Sequence, residues 1–104
     1  MKDSDSYWVK IYLAGPIEEA KQIIRREAKE IGLCVTIEPT TYIYKGGEEE
    51  GYVVGLINYP RFPKDSSDIW FSAVSLATKL KKETYQDSCL VMDPKKTIWN
   101  SDRE

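Results

Sequence analysis

Polar and apolar residues alternate from Trp8 to Ala14. Val9, Ile11 and Leu13 fall on one side and Trp8, Lys10 and Tyr12 on the other, a two-residue period that predicts a β-strand. Gly15-Pro16 ends the alternation. Ile17, Ala20, Ile23, Ile24, Ala28 and Ile31 then recur at three- and four-residue steps, opposite Arg25, Arg26 and Lys29. This pattern predicts a helix over 16–31, with proline at its first position, Glu18 and Glu19 against its positive end, and Gly32 just past its last turn. A second strand is expected over 33–37, bent or interrupted at Pro39 and continued over 40–44. Residues 45–51 read as a hairpin loop and 52–57 as a third strand. Ile69, Ala73, Leu76, Ala77 and Leu80 predict a second helix over about 65–84, its apolar side widened by Trp70, Phe71 and Val74. A fourth strand over 89–92, a turn over 93–96 and a short fifth strand over 97–99 complete the chain. The order β-α-β-β-α-β predicts a ferredoxin-like α+β sandwich, two helices on one face of a four- to five-stranded antiparallel sheet.

The chain of 104 residues is expected to form one domain, with flexible ends at 1–6 and 100–104. Its formal net charge of −2 lacks the basic excess of a phosphate-gripping surface, which disfavours nucleic acid as the main partner. No apolar run reaches the ~20 residues of a membrane span, and no signal-peptide core follows Met1. Cytoplasmic localisation follows as an expectation. Cys34 and Cys89 sit in predicted strands among apolar neighbours and read as buried free thiols. Histidine is absent, which removes imidazole-based nucleophile pairs and imidazole metal ligands. No metal site and no cofactor are expected. Glu48-Glu49-Glu50 reads as a solvated hairpin tip.

Two places carry candidate chemistry. Asn58-Tyr59-Pro60-Arg61-Phe62-Pro63 stiffens an arginine between two aromatics just before a helix start bearing Ser66 and Ser67. A guanidinium fork beside rings and an amide-rich helix end suits a small anionic ligand. The second place is the sheet face opposite the helices, where Trp8 and Tyr12 are expected with Tyr42 or Tyr44. Seven tyrosines and three tryptophans exceed what one small core needs. Aromatics on a bare face read as a self-association surface, a homodimer interface or a ligand platform. Trp99, Asn100 and Arg103 form a further polar cluster near the end.

Ile11-Tyr12-Leu13-Ala14-Gly15-Pro16 resembles the first ribonucleoprotein motif of RNA-recognition domains, with the stacking aromatic on Tyr12. In the second motif Val54 stands where that family has a second ring, and Glu50 where it has a basic residue. Lys10 to Pro16 also looks like the opening strand of nucleoside deoxyribosyltransferase-like proteins, where it ends in a substrate-binding turn. That resemblance implies a larger parallel sheet and a later glutamate nucleophile. In general style the small acidic chain resembles phage-encoded anti-defence inhibitors and sponges. The expectation is a non-catalytic binding protein that sequesters a small anionic, nucleotide-like ligand or blocks a protein partner, the latter through its aromatic face.

Overall fold

The computed structural model describes residues 1–32 and 34–102. Strand β1 (Trp8–Ala14) leads to helix α1 (Ile17–Ile31). Strands β2 (Val35–Tyr44) and β3 (Gly47–Ile57) follow, then α2 (Ser66–Glu83), β4 (Ser88–Met92) and β5 (Thr97–Ser101). The strands pair antiparallel in the order β2-β3-β1-β4-β5, and both helices cover one face. This is the ferredoxin-like α+β arrangement that the sequence predicts.

The alternation in β1 selects the covered face. Val9, Ile11 and Leu13 are at most 2% exposed and pack with Tyr52, Val54, Leu56 and Val91 beneath Ile23, Ile24, Ile69, Leu76 and Leu80. Each such side chain is worth about 1.5–3 kcal/mol when buried. A one-residue slip of β1 would turn all three outward, so the register is strongly specified.

Several local expectations change. Residues 47–50 are strand, not loop, because Lys45-Gly46 alone makes the turn and Tyr44 pairs with Gly47. Gly46 supplies the positive φ (97°) that this tight reversal requires. Pro39 does not interrupt β2. It lies on an edge strand, where a missing N–H costs no ladder bond if it faces outward. Pro16 caps α1 rather than joining it, since its ψ of 115° is extended. Phe71 turns away from the core and is 68% exposed, while Trp70 is buried. Cys34 is exposed and precedes β2; Cys89 is buried in β4, where burial pushes its thiol pKa up.

Candidate functional site

Asn58 fastens the loop between β3 and α2. Its side-chain amide donates to the Asp5 carbonyl at 2.9 Å and accepts from the Lys64 N–H at 3.0 Å. Its own N–H donates to the Tyr7 carbonyl at 2.9 Å, and its carbonyl accepts from Ser4 at 3.1 Å. The segment before β1 is thereby tied down. Ser66 and Ser67 line a cavity of about 770 Å³ with Asn58, Trp70 and the three lysines Lys64, Lys95 and Lys96. Tyr59 and Arg61 border a separate, shallow hollow with Lys2 and Pro60. Phe62 stacks on Tyr59 with centroids 6.5 Å apart, and the Arg61 guanidinium lies 5.3 Å from the Phe62 ring. Of the six residues expected to converge on one ligand, five therefore divide between two hollows, and Phe62 lines neither.

Asp93 sits on the rim of the larger cavity. It accepts the Tyr7 hydroxyl and the N–H groups of Lys95 and Lys96, each at 2.8 Å. Burial alone would raise this carboxyl's pKa. The three donors and the Lys96 charge outweigh it and hold the carboxyl below its usual range. Burial and the bond to Asp93 push Tyr7 up. Lys96 also lies 4.5 Å over the Trp70 ring, so part of the cavity's positive charge is already engaged.

The other end of β1 is organised differently. Register places Tyr12, Leu90 and Trp99 in one row across β1, β4 and β5, on the face without helices. Strands lie about 4.8 Å apart, so Tyr12 and Trp99 stand roughly 9–10 Å from each other with Leu90 between them. A flat ring needs about 7 Å between two others at the ~3.5 Å carbon contact distance. Leu90 can thus floor a slot for an aromatic ring. Tyr42 enters from β2, its hydroxyl donating to the Leu13 carbonyl at 3.2 Å and the Tyr52 carbonyl at 2.8 Å. Burial pushes its pKa up to about 12, so the hydroxyl stays a donor.

Glu49 stands opposite Tyr42 in the ladder, and Gln86 and Asp87 close the side from the loop after α2. Together these residues line a cleft of about 350 Å³ that, among the described residues, carries two carboxylates and no lysine or arginine. Such a lining favours a cation. Rings add to this, because their faces attract positive charge. Strand alternation separates the glutamate run: Glu49 shares the face of Tyr42, while Glu50 turns away and accepts from Thr41 at 3.0 Å. No cluster of three or more metal-binding side chains occurs among the described residues.

Trp8, Tyr12, Tyr42 and Tyr44 all share the open face, with Tyr44 far out on the hairpin and 53% exposed. Trp99 and Asn100 point to opposite faces as strand neighbours. Asn100 accepts from the buried Lys81 at 3.1 Å, and Lys81 also pairs with Asp102 at 2.6 Å. Arg103 lies outside the described residues. Sequence reasoning missed Gln86 and Asp87, which carry no pattern, and set Glu49 aside as solvated. The Leu90–Trp99 pair was within reach, because a tight turn over 93–96 fixes it.

No protein-family model matches the chain, and no curated protein matches it. Among solved structures, a phage SAM lyase without ligand superposes with a TM-score of 0.73 at 13% identity, over 94% of this chain and 90% of that one. A phage SAM lyase in complex with S-methyl-5'-thioadenosine gives 0.67 at 14% identity, over 97% and 93%. CutA from Synechococcus elongatus, complexed with Bis-Tris, gives 0.52 at 18% identity, over 98% and 89%. At these identities the likeness is one of fold. The expectation of a protein without turnover is corrected by it, since the fold shared over nine-tenths of the chain is that of a lyase. Lack of histidine excludes imidazole chemistry only.

Proposed function

We propose that the chain is an enzyme acting on a sulfonium nucleoside of the S-adenosylmethionine class, and that the cleft of Tyr12, Tyr42, Glu49, Gln86, Asp87 and Trp99 holds it. The observation that carries this reading is the cleft's lining, in which Tyr12, Tyr42 and Trp99 stand with the Glu49 carboxylate among the described residues, on a fold shared with a phage SAM lyase. A sulfonium carries its positive charge on sulfur, so aromatic faces and Glu49 or Asp87 suit it. An adenine fits the slot over Leu90.

The chemistry asks little of the protein. Sulfonium sulfur is already a good leaving group and needs no acid to protonate it. When its bond to the methionyl γ-carbon breaks, the electron pair goes to sulfur and leaves neutral S-methyl-5'-thioadenosine. The γ-carbon takes a replacement pair from the substrate's own carboxylate, closing a lactone, with no proton to move and no water consumed. Carboxylate and sulfonium cancel in this step, so an apolar floor and ring walls favour it over bulk water. The protein's task is to fold the substrate into the reactive geometry and exclude water.

Incubation with S-adenosylmethionine is expected to release S-methyl-5'-thioadenosine over many turnovers, read by chromatography. Glu49→Gln should lower kcat/KM about ten- to a hundredfold, the scale of one lost charge-assisted contact at roughly 1.5–3 kcal/mol. Product that never exceeds one equivalent per chain would sink the proposal. An anionic ligand at Arg61 is the weaker reading, because its residues divide between two hollows. We also propose that a second copy of the chain covers the end of the open sheet face that carries Trp8, Ile57 and Met92, away from the cleft, as the exposed Ile57 favours.

A further inference from the structure

The loop after α2 carries an unusual backbone. Tyr85 adopts φ 57°, the only positive φ at a non-glycine position among the described residues, and its own side chain is 92% exposed. Packing of Tyr85 does not explain the conformation. What the conformation does is turn the chain so that the next residue, Gln86, enters the cleft. The Gln86 N–H donates to the Lys81 carbonyl at 2.9 Å, fixing the backbone at that point. Its side-chain amide lies against the bare backbone of Gly15. A Cβ there would fall 2.8 Å from Nε2 and 3.3 Å from Cδ, and Gly15 has φ 114°. Gly15 in turn donates its N–H to the Glu50 carbonyl at 3.1 Å, so the turn is anchored to the hairpin. Three backbone features thus converge on placing one uncharged amide.

We infer that Gln86 reads the amino edge of an adenine ring held in the cleft, and is a specificity-determining residue. This rests on the sulfonium-nucleoside reading above. Nε2 donates one hydrogen to the Thr84 carbonyl at 3.2 Å, which leaves its second hydrogen and the carbonyl Oε1 without a protein partner among the described residues. An acceptor beside a donor is the complement of adenine's N6 amino group beside N7, the pairing that glutamine makes with adenine elsewhere. The cleft's carboxylates accept only. Gln86 is the one carboxamide side chain lining it among the described residues.

The test compares binding of S-methyl-5'-thioadenosine with its inosine counterpart, in which an oxo group replaces the amino group. The unmutated chain should prefer the adenosine compound by about ten- to a hundredfold, the range of one bidentate pair. Gln86→Leu should bring the two within about threefold by weakening the adenosine compound selectively, whereas a merely structural role would weaken both alike. Gln86→Glu, which keeps the acceptor facing the amino group but loses the donor facing N7, should weaken both compounds while keeping the preference for the adenosine compound. Full preference in Gln86→Leu overturns the inference. So does an unmutated chain that binds the two compounds equally, which would leave the cleft reading standing. Binding of neither compound at millimolar concentration would end both.

Discussion

Gly51 shows how a single missing side chain positions this site. A Cβ there would fall 2.3 Å from the Leu13 carbonyl oxygen, 2.8 Å from the Ala14 Cα and 2.6 Å from the Tyr42 ring. Two of those atoms are backbone, so nothing can move aside without parting β1 from β3. Gly55 offers the contrast: its Cβ would meet only the Thr36 hydroxyl, at 2.5 Å, which can rotate away. Gly51→Ala should therefore cost about 3 kcal/mol in urea unfolding, and Gly55→Ala under about 1 kcal/mol. Equal losses would show that the close approach at Gly51 is not what matters. The sequence marks Gly51 only as the residue between a glutamate run and an apolar run, and Gly55 as a glycine within that apolar run; their unequal weight appears once β1 is laid beside β3. Asn58 was legible as a special residue, but its hydrogen bonds to the Asp5 carbonyl and the Lys64 N–H depend on chain that folds back from the terminus.

At the scale of elements, periodicity carried furthest where an element is buried on one side. β1 and α1 match their apolar patterns to within one residue, because the core rewards that spacing. The start of β3 escaped, since Gly47 to Glu50 have no buried side and project past β1, whose last pair is Ala14 with Gly51. Sequence also could not show what joins the helices. Glu27 of α1, 7% exposed, accepts from Arg26 at 2.8 Å and from Lys79 of α2, while Arg26 bonds Glu83 of α2 at 2.5 and 3.0 Å. Hydrogen bonds from Lys79 and then Arg26 hold the Glu27 carboxyl below its ordinary 4.5, and the bonds from Arg26 do the same for Glu83. Protons therefore bind the unfolded chain first. The cluster's contribution is complete above about pH 4.5 and is lost as pH falls through the lower folded values. Glu27→Gln should lower the urea midpoint at pH 7, and its deficit should shrink as both proteins approach pH 3. A deficit that stays constant across that range would mean the loss is one of shape rather than charge.

For the whole molecule the unanswered surface is the second face of the sheet. Trp8, Tyr12, Val53, Ile57, Leu90, Met92 and Trp99 share it, with Ile57 42% and Trp99 53% exposed. Isolated chains rarely leave a contiguous apolar patch of more than a few hundred Å² in water. Lys10 stands within this face and Glu38 and Glu49 lie toward its β2–β3 side, so it carries both signs of charge. Were a two-fold axis to pass between Lys10 and Glu38, the lysine of one protomer would face the glutamate of its partner, so a face with both signs of charge is compatible with a second copy. The bare sheet was legible from the count of two helices, and its aromatic lining from the alternation in β1; which charges accompany the rings needed the register. Sedimentation equilibrium is expected to return twice the 12.0 kDa chain mass at micromolar concentration. Trp8→Ser with Met92→Ser should bring it to one chain mass while the helix content stays the same, since neither residue touches the core beneath the helices. The substitutions lie at the end of β1 away from the cleft, so product release by the monomeric variant then separates two cases. Activity per chain that survives places the whole site within one protomer, and activity that vanishes with the dimer means the partner completes it. A mass of 12.0 kDa for the unmutated chain at every concentration up to millimolar would remove the second copy from the account.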